Sequence, residues 1–69
     1  MMEYVEFHLH GKPKLIDPYK IMCFEDDYPC TCCVTFFNRR NNEVSLIVDE
    51  SYEEVQEKLK DFEWIEDLG

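Results

Sequence analysis

Sixty-nine residues allow one domain, and a domain this small buries only ~60% of the surface its unfolded chain exposes. Hydrophobic residues make up 45% and aromatics 14%, which excludes a disordered chain. Seven basic against sixteen acidic residues give a net charge of −9, which excludes a general electrostatic grip on nucleic acid or on an anionic membrane.

The N-terminal stretch sets an alternation. Val5, Phe7 and Leu9 point one way; Tyr4, Glu6, His8 and His10 point the other. Period two with aromatic and β-branched residues predicts a half-buried strand. "HGKPK" predicts a turn, through the freedom of Gly11 and the missing donor of Pro13, and Leu15 and Ile16 begin the return strand. Asp17-Pro18 punctuates the chain. Tyr19 to Phe24 reads as a third strand, with Met22 and Phe24 on one face and Ile21 and Cys23 on the other; "EDDYP" reads as an acidic turn. "CTCCVTFF" carries the strongest strand signal, with Cys32, Val34 and Phe36 on one face and Thr31, Cys33, Thr35 and Phe37 on the other. "NRRNNE" is a hairpin loop whose Asn38, Asn41 and Asn42 suit left-handed backbone, and Val44 to Val48 returns as the last strand.

From Tyr52 the period changes. Tyr52, Val55, Leu59 and Phe62 recur at helical spacing. Ser51 and Glu54 fit the S-x-x-E capping box, and Glu53, Glu54 and Glu57 precede Lys58 and Lys60 as the helix dipole favours. The expected fold class is α+β: one domain over 1–69, with a small antiparallel sheet of four to five strands over about 3–48 and one C-terminal amphipathic helix over about 52–66. A sheet covered by a single helix leaves its other face and its edges unattended, which predicts a homo-oligomer. No run approaches the ~18 apolar residues that span a bilayer, and "MMEYVEFHLH" lacks the basic start and apolar run of a secretory leader. The expectation is a cytoplasmic protein with no membrane partner and reduced thiols.

Three segments in order, "FHLHGKPKLID", "YKIMCFED" and "EVSLIVDESYEEVQEKL", resemble the short flagellar accessory proteins of the FlbD type and similar small proteins of bacterial and phage genomes. The resemblance runs from Tyr4 to Phe62. It implies a strand-rich fold closed by a capped helix, and a role as a flagellar protein–protein adaptor.

Four cysteines, Cys23, Cys30, Cys32 and Cys33, stand at C-x6-C-x-C-C spacing. A structural zinc wants two converging ligand pairs. Adjacent Cys32 and Cys33 face opposite sides of a strand, and a second conventional pair is missing unless His8 and His10 supply it. A vicinal disulfide would strain the backbone, and a catalytic thiol needs a lowered pKa and a neighbouring base. The adopted reading takes Cys23, Cys32 and Cys33 as small buried apolar side chains and expects no metal and no cofactor. Acid pairs such as Asp26-Asp27 and Glu53-Glu54 read as solvated charge, since a chain this small hardly builds a cleft between two carboxylates.

"NRRNN" stands apart. Arg39 and Arg40 are the only arginines and sit on a hairpin tip. Arginine grips phosphate or carboxylate bidentately, and Asn38 and Asn41 can read polar edges. With Tyr4, His8 and His10 from the polar side of the first strand, they form the candidate ligand-binding set. No nucleophile–base pair or Gly-rich phosphate loop is present, so no enzyme is expected. The expectation is a small oligomeric binding protein, of the kind phage encode against host defences, that sequesters a small anionic ligand of nucleotide type at subunit interfaces. The alternatives are the flagellar adaptor and an acidic mimic of nucleic acid that blocks a basic enzyme.

Overall fold

The computed structural model describes residues 3–27 and 29–62. The fold is α+β, with five antiparallel strands and one helix: β1 (Val5–Leu9), β2 (Lys12–Ile16), a 3-10 turn (Pro18–Lys20), β3 (Ile21–Asp27), β4 (Thr31–Phe37), β5 (Glu43–Val48) and α1 (Tyr52–Lys60). The strands form two sheets rather than the one expected. β1 and β2 make a hairpin, and β3, β4 and β5 make a meander in that order. The break lies at Asp17-Pro18. The Asp17 carboxylate accepts from the Tyr19 N–H at 2.9 Å, and Pro18 takes the first helical position with its φ already set. The segment expected to open the third strand therefore winds into the 3-10 turn.

The first hairpin closes on two residues. His10 (φ 52°) and Gly11 (φ 81°) supply the two positive φ angles that a type I′ turn requires. Pro13 and Lys14 therefore belong to β2, not to the turn. Register pairs Leu9 with Lys12 beside the turn and His8 with Pro13 next. The turn-closing pair exchanges hydrogen bonds, so the next pair does not. Pro13 has no N–H to point outward from the edge, and the His8 N–H and C=O face away from β2. There they meet the segment after β5: the Asp49 N–H donates to the His8 carbonyl at 2.7 Å, and the His8 N–H donates to Glu50 Oε1 at 3.0 Å. These bonds join the two sheets.

β3 departs from simple alternation. Ile21 pairs with Phe36 and Cys23 with Thr35, so Met22 is an extra residue in a β-bulge. The bulge turns both Ile21 and Phe24 inward and leaves Met22 and Cys23 exposed. The faces expected for these four residues are thus mixed, and Cys23 is not a core residue. The "EDD" expected as turn continues β3, with Glu25, Asp26 and Asp27 paired to Cys33, Cys32 and Thr31. Carboxylates along this outer strand discourage further strand addition.

The core lies where the hairpin, the three-stranded sheet and the helix meet. Val5 and Phe7 come from β1, Ile16 from β2, Ile21 and Phe24 from β3, Cys32, Val34 and Phe36 from β4, Val48 from β5, and Val55 and Leu59 from α1. α1 packs on β3 and β4, with the Tyr52 ring 4.9 Å from that of Phe24. Its start is the expected capping box. The Glu54 N–H donates to Ser51 Oγ at 3.2 Å and the Ser51 N–H to Glu54 Oε1 at 2.9 Å. The Ser51 N–H first, and the Ser51 side chain with it, hold the Glu54 carboxyl below its usual pKa by hydrogen bonding. The helix ends at Lys60, with Asp61 as its C-cap and the Phe62 N–H on the Leu59 carbonyl. It is shorter than the expected span, of which 63–66 lies outside the described residues. Replacing Ser51 with Ala is expected to cost about 1 kcal/mol of stability in a urea titration, the usual worth of an N-cap.

Candidate functional site

The pairing of Ile21 with Phe36 lays the 3-10 turn beside the end of β4, where the chain enters the 38–42 turn. β2 leads directly into the same 3-10 turn. A groove of about 580 Å³ opens between these elements, within the size range of small-molecule sites. One wall is Lys14, Leu15 and Ile16 with Asp17 and Lys20; Tyr4 stands at the start of β1. The other wall is Phe36 and Phe37 running into Asn38, Arg39 and Arg40.

The arginine tip is built around Asn38. Its side-chain oxygen accepts from the Arg40 N–H at 2.9 Å and the Asn42 N–H at 3.0 Å. The backbone closes with the Asn38 N–H on the Asn42 carbonyl and the Asn41 N–H on the Asn38 carbonyl. Asn41 takes φ 63°, a left-handed position that asparagine tolerates. Asn38 and Asn41 therefore shape the tip that carries the two arginines.

Charge is concentrated here against the trend of the chain. Four of the seven basic residues, Lys14, Lys20, Arg39 and Arg40, line the groove. Among the described residues none of the four has an ion-pair partner, whereas Lys58 meets Glu50 at 3.9 Å and Lys60 meets Glu57 at 3.8 Å. The one carboxylate in the lining, Asp17, already accepts from the Tyr19 N–H. Apolar surface is concentrated here too. Leu15 is 59% exposed, Tyr4 41% and Phe37 37%, and all three line the groove. Phe36, buried, lies beneath them.

Of the residues expected from the sequence, the structure brings Tyr4, Asn38, Arg39 and Arg40 to this groove and places His8, His10 and Asn41 outside its lining. His10 serves the first hairpin turn, where its N–H and that of Gly11 donate to the Asp49 carboxylate at 3.1 and 2.7 Å. These bonds, Gly11's foremost, hold the Asp49 carboxyl below its usual pKa. His8 lies between acids, with Nδ1 2.7 Å from Glu50 Oε2 and Nε2 3.1 Å from Glu6 Oε2. The hydrogen bond to Glu50 raises the His8 pKa first, the charges of Glu50 and Glu6 add to it, and partial burial and Lys58 oppose it. With both ring nitrogens held by carboxylates, His8 presents neither as a free base. It works as a clamp between β1 and the residues that lead into α1.

Lys14, Lys20, Leu15, Phe36 and Phe37 were not among the candidates. The signal for them is the clustering of cations on either side of Asp17-Pro18, which becomes meaningful only with the β3–β4 register.

The cysteines divide by position. Cys32 is buried, Cys33 half-buried on the outer sheet face, and Cys23 and Cys30 exposed. Burial, followed by the neighbouring Cys33 and Asp26, pushes the Cys32 thiol up to about 11; burial, then Glu25 and Asp27, raises Cys33. Neither is tuned toward a thiolate at neutral pH. Among the described residues no group of three or more His, Cys, Asp or Glu side chains is placed to hold a metal ion, and no helix is long and apolar enough to cross a membrane. No protein-family model, curated protein or solved structure matches the chain.

Proposed function

We propose that the protein is a non-enzymatic binder of a small anionic ligand that carries a flat ring, of nucleotide type, held in the groove between β2, the 3-10 turn and the 38–42 turn. The observation that carries this reading is the convergence, in one groove of a chain with net charge −9, of three exposed apolar side chains and four cations that have no ion-pair partner among the described residues. Clustered like charge costs energy in the empty protein and becomes favourable once an anion sits among it. Guanidinium forks suit phosphate oxygens, and Phe37, Tyr4 and Leu15 offer a surface for a base. Self-association through the outer face of the three-stranded sheet, where Ile47 and Cys33 pair side by side, belongs to the same proposal.

The test is titration calorimetry with a panel of nucleotides against the wild type and the Arg39→Glu/Arg40→Glu double variant. Each charge-assisted contact is worth about 1.5–3 kcal/mol, so charge reversal at both positions is expected to weaken binding more than a hundredfold. Both side chains are exposed on a turn, so the urea midpoint is expected to stay within about 0.5 kcal/mol of wild type. Unaltered affinity rejects the arginine role. Native mass spectrometry tests the assembly: more than one chain per particle is expected, and a monomer at every concentration rejects it.

A further inference from the structure

The way the cations are distributed around the groove narrows the ligand class. They come as two pairs on two separate supports. Lys14 stands on β2 and Lys20 ends the 3-10 turn; Arg39 and Arg40 are adjacent on the turn between β4 and β5. Leu15 shares the wall of the lysine pair, and Phe36 and Phe37 share that of the arginine pair. With Asp17 counted, four positive charges face one negative, a local excess of three. A single phosphate monoester carries roughly −1.5 to −2 and would leave part of that excess unopposed, with one pair of cations repelling the other across the groove. Two phosphate groups bring about twice that charge, enough to neutralise it.

Resting on the anionic-ligand reading above, we infer that the groove takes a nucleoside bearing two separate phosphate groups, one held by the Lys14–Lys20 pair and one by the Arg39–Arg40 pair, with the ring between them against Phe37 and Leu15. The two ends differ in character. The arginine end reads phosphate geometry through paired N–H bonds, and the lysine end acts through point charge.

The experiment is calorimetry with the 3′,5′-bisphosphates and 5′-monophosphates of the four common ribonucleosides. The proteins compared are the wild type, Lys14→Ala/Lys20→Ala and Arg39→Ala/Arg40→Ala, each checked for native circular dichroism. At least one bisphosphate is expected to bind about tenfold or more tighter than its monophosphate, the scale of one added charge-assisted contact. The lysine variant is expected to erase that advantage while changing monophosphate affinity less than about threefold; the arginine variant is expected to weaken both ligands. Equal affinity for the mono- and bisphosphate overturns the two-phosphate inference and leaves anion binding standing, as does an equal loss for both ligands in both variants. No heat of binding with any of the eight compounds overturns the nucleotide reading itself.

Discussion

Replacing Phe7 with Ala is expected to abolish cooperative folding at room temperature. Phe7 is 0% exposed and is the largest side chain that the β1–β2 hairpin contributes to the shared core. A two-stranded hairpin is marginal in water by itself, so this one keeps its shape because Val5, Phe7 and Ile16 are buried against the other elements. Phe→Ala in a core costs about 3–5 kcal/mol. At about 0.05–0.15 kcal/mol per residue, a chain of 69 residues has a total stability of about 3–10 kcal/mol. The loss is about half of the middle of that range and nearly all of its lower end. Urea titration followed by tryptophan fluorescence and far-ultraviolet circular dichroism should show a broad, non-cooperative profile, or one with its midpoint near zero denaturant. Leu15→Ala, without ligand, is the control: Leu15 is also large and apolar and stands on the same hairpin but is 59% exposed, and its loss should move stability by less than about 0.5 kcal/mol. Similar behaviour in the two variants would mean that the hairpin is not held by its buried face.

Glu50→Ala is expected to be the most damaging change of any charged residue. Glu50 is 7% exposed, and its two oxygens serve the His8 N–H, the His8 ring and Lys58. Alanine strips the His8 N–H of its acceptor at the seam between the two sheets, at about 1–3 kcal/mol. Glu50→Gln keeps a carbonyl for that N–H but removes the charge, and should cost less. The pair also dictates a pH dependence. The folded His8 pKa lies above the ordinary 6.5, so the folded state holds its proton more tightly than the unfolded chain. That stabilisation is complete below pH 6.5 and is lost as pH rises through the raised folded value. The groups facing His8 are Glu6 on its own strand, Glu50 and Asp49 after β5, and Lys58 on α1. The urea midpoint should therefore fall between pH 6 and pH 8 in the wild type and fall much less in Glu50→Gln. A steep fall retained in Glu50→Gln would assign the dependence to another group.

Much of this architecture is legible in the sequence because its causes are local. The alternation of Val5 and Phe7, the cap made by Ser51 and Glu54, and the left-handed demand met by asparagine in the 38–42 turn are set within a few residues of each other. What the sequence conceals depends on register. The extra residue at Met22 reverses the faces of β3, and no short window announces it. Asp17-Pro18 is a visible break, yet that it divides one expected sheet into two depends on how the hairpin docks. The groove follows the same rule. Arg39, Arg40, Asn38 and Tyr4 are noticeable by residue type, whereas Lys14 and Lys20 acquire meaning only when Ile21 is set opposite Phe36. Glu50 looks like one more acid in an acidic chain until its burial is known.

The consecutive residues Asp49, Glu50 and Ser51 secure three different things: the turn of the first hairpin, the free edge of β1 and the start of α1. Two of these anchors reach back 38 to 42 positions along the chain. During synthesis the hairpin leaves the ribosome first, and its moorings are added only 38 to 42 residues later. Until then it has neither its acceptor carboxylates nor the helix that shields Phe7. A nascent chain halted before Asp49 would expose a strand edge and an aromatic face together, the pair of features most prone to wrong pairing. The native state is therefore reached late and as a whole, and the short acidic linker between the last strand and the helix is the point at which the chain becomes a protein.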